Sequence, residues 1–184
     1  MYAGAPLLAA LIGGAPGPLR RLTLVLGGAR SGKSAYAEAL VMQRPKPWTY
    51  VATGQAFDEE MQERIAVHRA RREAGWETIE APVELVAALG GAGVVLVDCL
   101  TLWLTNLMLG GHDVEAAMAG LGRRLDERVE QTVLVSNEVG FGIVPENALA
   151  RRFRDAAGVL HQRMAARADT VVLIVAGIPM GVKG

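Results

Sequence analysis

Gly27-Gly28-Ala29-Arg30-Ser31-Gly32-Lys33-Ser34 follows the spacing G-x-x-x-x-G-K-[ST], in which a chain wraps its own backbone around an anion. The glycines let the chain curl until successive N–H groups face one point, and the dipole of a following helix aims its positive end at the same place. Phosphate binding is the chemistry that follows. Lys33 is expected to reach the β- and γ-phosphates of ATP or GTP, and the Ser34 hydroxyl to complete the shell of a Mg²⁺ ion bridging their oxygens. Asp98 closes an aliphatic run, which puts it at the carboxyl edge of a sheet, beside the phosphate loop and suited to hold the same metal. The other reading of Asp98 is a cap on a helix starting near Leu100.

A second set of chemical residues lies between 58 and 72. Asp58, Glu59 and Glu60 are followed by Arg64, Arg69, Arg71 and Arg72, a charge order that suits a helix dipole at both ends. At helical spacing Arg64, His68, Arg71 and Arg72 fall at i, i+4, i+7 and i+8, so the imidazole shares a face with three guanidinium groups. Such a face invites a polyphosphate, and neighbouring positive charge keeps the imidazole neutral and available as a nucleophile or base. Read from composition alone, the same residues make a solvated helix face.

These residues need a scaffold, and the chain supplies one. Leu22 to Leu26, Trp48 to Ala52, Val94 to Val97, Thr132 to Ser136 and Val171 to Val175 are short apolar runs without alternation, with Trp76 to Glu80 a weaker member. Runs of that kind are strands covered on both faces. Between them Lys33 to Met42, Asp58 to Arg72, Val83 to Leu89, Leu100 to Leu109, Val114 to Val129 and Asn147 to Ala168 carry apolar residues three and four apart and predict helices. The alternation predicts an α/β protein of three layers, a mostly parallel sheet flanked by helices in the P-loop NTPase-like (RecA-like) manner. Residues 21–184 form one domain in this reading. Residues 1–20, broken by Gly13, Gly14, Pro16 and Pro18, read as a flexible extension that is neither a signal peptide nor a membrane span.

Composition narrows the ligand. The 184 residues include 19 basic and 19 acidic side chains, which cancel and remove the charge footprint expected for nucleic acid. The one cysteine, Cys99, has no partner for a disulfide or a zinc site, which fits a cytoplasmic protein.

Several longer strings carry a family likeness: GGARSGKS at 27–34, YVATGQAFDEEMQERIAVHRARR at 50–72, WETIEAP at 76–82, VDCLTLWLTNL at 97–107 and SNEVGFGIVPENALARRFRDAAGVLHQRMA at 136–165. From about Arg21 to Lys183 the chain resembles the bifunctional adenosylcobinamide kinases / adenosylcobinamide-phosphate guanylyltransferases of cobalamin biosynthesis. The resemblance implies phosphorylation of adenosylcobinamide by ATP or GTP, then transfer of GMP from GTP to adenosylcobinamide phosphate through a GMP–histidine intermediate. It implies that His68 is that histidine, leaving His112 and His161 as surface or packing residues. It further implies that Ala52, Thr53 and Gly54 line the nucleotide site, and that Arg69, Ala70, Arg71 and Arg72 hold phosphates or the guanylyl group. Glu80 is implied to contact guanine or ribose, where a carboxylate would accept from guanine N1 and N2; an exposed strand-end carboxylate is the alternative. Asn137, Glu138 and Val139 are expected to meet substrate at another strand end. The family is trimeric, and Leu100 to Leu109, apolar on nearly every side, is the natural subunit contact. Two other functions stay open at this point: a small-molecule kinase with no covalent intermediate, and a nucleotide-dependent binding module that docks a partner on the helix around Trp103.

Overall fold

A computed structural model of the chain describes residues 17–55 and 74–184. The strands are β1 (Leu22–Gly27), β2 (Trp48–Ala52), β3 (Trp76–Glu80), β4 (Val95–Asp98), β5 (Thr132–Asn137), β6 (Thr170–Val175) and β7 (Ile178–Lys183). The helices among the described residues are α1 (Lys33–Val41), α2 (Leu85–Ala88), α3 (Leu100–Leu109), α4 (Val114–Glu127) and α5 (Ala148–Arg167). The helix expected over Asp58 to Arg72, with His68 and Arg69 to Arg72, lies outside the described residues.

All seven strands form one sheet in the order β3-β2-β4-β5-β1-β6-β7. Every neighbouring pair is parallel except β6 and β7. The apolar runs fail to alternate because both faces are buried. Leu22 and Leu24 of β1, with Val95 and Val97 of β4, pack into a cluster with Leu100, Trp103 and Leu104 of α3, Leu121 of α4 and Leu160 of α5. Val25, Leu96, Val133 and Val135 point the other way, to Tyr36, Ala37 and Leu40 of α1. Three layers result, with α1 on one face and α3, α4 and α5 on the other. Leu19, ahead of β1, is also buried in the α1 cluster.

One element departs from the sequence reading, and another, formed as expected, puts its apolar residues to a use the sequence did not show. The strand β7 was not anticipated: Ile178, Met180 and Val182 are exposed, and Pro179 and Gly181 interrupt the run. The helix α3 buries Leu100, Trp103, Leu104 and Leu107, and Leu102 packs on the opposite cluster. Its excess of apolar residues is therefore used largely inside the chain, although Leu109 remains 61% exposed. Trp103 is 1% exposed and its indole N–H donates to the Val83 carbonyl at 2.9 Å. A partner docked on Trp103 has no surface there.

Candidate nucleotide site

Parallel pairing brings the carboxyl ends of β1 to β5 to one edge of the sheet. The register aligns Glu80, Ala52 and Asp98 across β3, β2 and β4. Asp98 aligns with Val135, and Gly27 with Asn137, so the phosphate loop leaves the sheet two residues above the level of Asp98. The strand β5 stands between β1 and β4, which spaces Asp98 from β1 by roughly 10 Å at about 4.8 Å per strand. That separation along the sheet edge suits the phosphates of a nucleotide with a bound cation. Glu80 is four strand spacings from β1, roughly 19 Å on the same measure. It is exposed at the far end of the edge, and the structure does not bring it to the phosphate loop.

The loop itself is tightly built. Ser31 N–H donates to the Gly28 carbonyl at 3.3 Å, and Tyr36 N–H to the Gly32 carbonyl at 3.0 Å, which starts α1 directly from the loop. Gly32 takes φ 95°, a left-handed turn that L side chains rarely adopt, and this turn swings the chain into the helix. A Cβ on Gly27 would lie 2.5 Å from Ser31 Oγ and 2.8 Å from the Ile174 carbonyl oxygen, so only glycine fits beneath the loop. A Cβ on Gly28 would meet nothing within 4 Å, and Gly28, Ala29 and Arg30 are exposed, which leaves this side of the loop open to a ligand. Lys33 is 8% exposed and arches back so that its ammonium donates to the Gly28 carbonyl at 3.1 Å. Ser31 Oγ is buried with no hydrogen-bond partner among the described residues. A buried cation arched over open backbone, beside an orphaned hydroxyl, is a donor set that an oxyanion satisfies. Two further bonds brace the loop from its flanks: Gly177 N–H to the Ser31 carbonyl at 2.9 Å, and Glu138 N–H to the Gly27 carbonyl at 3.0 Å.

On the far side of β5, Asp98 is half-buried and its Oδ2 accepts from the Tyr50 hydroxyl at 2.9 Å. It does not cap α3: Cys99 occupies that position, and no side chain caps the helix. Thr53 is fully buried. Its hydroxyl donates to the Cys99 carbonyl at 2.7 Å and accepts from Cys99 N–H at 2.8 Å, so it fixes the peptide after Asp98. Ala52 and Gly54 flank it half-buried at the end of β2. Burial pushes the Cys99 thiol up to about 11; the Asp98 carboxylate adds to the rise, and the Lys33 ammonium opposes it. Lys33 and Asp98 thus both act on the corner where β4 meets α3. Ser34 sits half-buried in the first turn of α1. The described residues contain no group of three His, Cys, Asp or Glu side chains that would cage a metal ion. Ser34 and Asp98 are the hydroxyl-plus-carboxylate pair suited to a Mg²⁺ ion that takes its remaining ligands from phosphates and water.

Some supporting groups escaped the sequence reading. Tyr50 lies within an apolar strand, and its hydroxyl is seen to matter only once β2 pairs with β4, where Tyr50 stands opposite Leu96 and reaches Asp98 two residues on. Asn106 is buried on an apolar helix and its amide donates to the carbonyls of Thr53 at 2.7 Å and Pro82 at 2.9 Å, tying down the ends of β2 and β3. A lone amide among leucines was the signal for it. Asn137, which the sequence reading placed at a substrate-facing strand end, donates to Thr101 Oγ1 at 2.9 Å and so links the end of β5 to α3. His112 is exposed, whereas His161 is buried and its Nε2 lies 2.8 Å from Ser136 Oγ.

Residues 23–182 match the family described as cobinamide kinase / cobinamide phosphate guanyltransferase. A bifunctional adenosylcobalamin biosynthesis protein, CobP of Pseudomonas aeruginosa, is 50% identical over 167 residues, covering 88% of this chain and 96% of that one. CobU proteins of the same description from Salmonella typhimurium and Escherichia coli are 44% and 41% identical, each covering 88% of this chain and 99% of the relative. By sequence over nearly its whole length, the chain belongs to the cobinamide kinase / cobinamide phosphate guanyltransferase family.

Proposed function

We propose that the protein phosphorylates adenosylcobinamide with ATP or GTP and then transfers GMP from GTP to the adenosylcobinamide phosphate, giving adenosylcobinamide-GDP in cobalamin biosynthesis. The observation that carries the kinase half is the phosphate loop with Lys33 arched over Gly28, facing Asp98 across β5. In the first reaction the loop N–H groups and Lys33 hold the phosphates, and the acceptor hydroxyl displaces the nucleoside diphosphate from the γ-phosphorus. Mg²⁺, held by Ser34 and Asp98, would supply neutralisation of the phosphate charge. In the second reaction His68 attacks the α-phosphorus of GTP, pyrophosphate leaves, and the phosphate of the first product then takes GMP from the imidazole. Arg69, Arg71 and Arg72 offset the charge that develops, and Glu80 reads the guanine or ribose; His68 and the arginines are assigned from the family motif.

Family likeness and the apolar groove formed by Met108, Leu109, Leu149 and Phe153 support a homotrimer. The unpaired buried thiol of Cys99 supports a cytoplasmic setting. No described helix is long and apolar enough to cross a membrane. The test is mass spectrometry of the corrinoid after incubation of the chain with Mg²⁺, GTP and adenosylcobinamide. Sequential appearance of adenosylcobinamide phosphate and adenosylcobinamide-GDP is expected; accumulation of the phosphate alone would reduce the assignment to a kinase.

A further inference from the structure

Behind the phosphate loop lies a buried polar triplet with no part in the mechanism above. Ser136, at the end of β5, places Oγ 2.8 Å from Nε2 of His161 on α5. The other ring nitrogen, Nδ1, lies 3.7 Å from Oε2 of Glu138. Glu138 Oε1 accepts from Gly140 N–H at 2.6 Å. The connectivity is that of a hydrolytic triad, but its exposure runs the other way. Ser136 is 0% exposed and cannot meet a substrate, and the His161 side chain is 9% exposed. Glu138, at 18%, is the member that reaches the edge. The serine is therefore the anchor, the imidazole the link and the carboxylate the working end.

Burial also settles how the link is protonated. It keeps the imidazole neutral, against the opposing charge of Glu138. A carboxylate only accepts, so the tautomer with hydrogen on Nδ1 is the one that suits Glu138 across a 3.7 Å gap longer than a hydrogen bond, and it lets Nε2 accept from the Ser136 hydroxyl. Glu138 is fixed at both ends: its own N–H is bonded to Gly27, the first residue of the phosphate loop. With two oxygens and about four acceptor positions, it retains capacity for a further donor. Just beyond it, Phe141, Ile143 and Val144 are 84%, 96% and 59% exposed. The carboxylate thus stands between the phosphate loop and an exposed apolar segment, where a bulky acceptor with an apolar flank would present its hydroxyl.

We propose that Glu138 takes the proton of the acceptor hydroxyl in the kinase step, and that His161 is the residue that positions it. This rests on the kinase reading given above. The hydroxyl oxygen forms the new bond to the γ-phosphorus, the bond from that phosphorus to the β,γ-bridging oxygen breaks, the nucleoside diphosphate departs, and the proton passes to Glu138 and then to solvent.

The test compares two rates on the full chain: phosphorylation of cobinamide, and GMP transfer to cobinamide phosphate supplied ready-made. Glu138→Gln keeps the shape and removes the basicity, and should lower the ratio of kinase to transferase kcat by about 100-fold or more. His161→Leu should lower kinase kcat by about 10-fold through misplacement of the carboxylate, with KM for cobinamide little changed. His161→Gln, which can still donate toward Glu138 and accept from Ser136, should recover most of that loss. A parallel fall of both rates in Glu138→Gln, or a kinase kcat that hardly moves, would overturn the proposal. A wild-type chain without either activity would instead overturn the functional reading, a result distinct from any behaviour of the variants.

Discussion

The Cys99 thiol sits two residues into the most elaborate corner of the molecule, 3.2 Å from Thr101 Oγ1 and 3.7 Å from the Asn137 amide. Only a thiolate is a good nucleophile, and with its pKa near 11 this thiol is almost wholly protonated at neutral pH. The native protein should resist iodoacetamide at pH 8 and become alkylated once unfolded in guanidinium. Rapid labelling of the native state would mean that the corner between β4 and α3 opens, and with it the seat of Asp98. At this scale the sequence was informative where chemistry is local. Lys33, Ser34 and Asp98 were readable because a short motif or a strand end fixes their surroundings. Tyr50, Asn106 and His161 were not, because the partners of each lie more than 20 residues away, from Glu138 for His161 to Thr53 for Asn106, and are brought close only by the sheet.

Among the elements, the phosphate loop is the one whose geometry tolerates least. The Ile174 carbonyl that faces Gly27 belongs to β6, which pairs with β1 along its length, so it cannot retreat without disturbing the sheet. Gly27→Ala should therefore destabilise the fold by about 1–3 kcal/mol through overpacking. In a domain of this size that lowers Tm by on the order of 5 °C. Gly28→Ala, with open space around its Cβ, should leave Tm nearly unchanged while obstructing nucleotide; calorimetry with and without GTP separates the two effects. Equal Tm values for both variants would contradict the packing described beneath the loop. The strands β1, β2, β4, β5 and β6 were legible because each is largely covered on both faces, which writes an apolar run into the chain, whereas the edge strand β3, half exposed, left a weaker signal. The edge strand β7 pairs with a single neighbour and exposes most of its side chains, so no such run marks it. The apolar content of α3 has a related source. A helix touching two core clusters is apolar all round, and from sequence that pattern is indistinguishable from a subunit contact.

At the level of the whole molecule, stability and activity are coupled through the same buried groups. His161 is held neutral, with its folded pKa below the ordinary value, so the unfolded chain binds the proton more readily. By linkage its contribution to stability is intact above the unfolded value of about 6.5 and is lost as pH falls below it. Tm should decline from pH 7.5 to 5.5, and the decline should be shallower in His161→Gln; an identical slope in both proteins would show that the imidazole is not buried in neutral form. Along the sheet edge, the strand that leads into the phosphate loop and the end of β3 at Glu80 stand roughly 19 Å apart at about 4.8 Å per strand. The segment carrying His68 follows β2 and precedes β3 in sequence. A covalent GMP carrier is the central claim, and its most direct test is incubation with Mg²⁺ and α-labelled GTP followed by denaturation. The account predicts protein-bound label that survives alkali, leaves in acid and disappears in His68→Ala; label retained by that variant, or none in the wild-type chain while cobinamide is still phosphorylated, would contradict it.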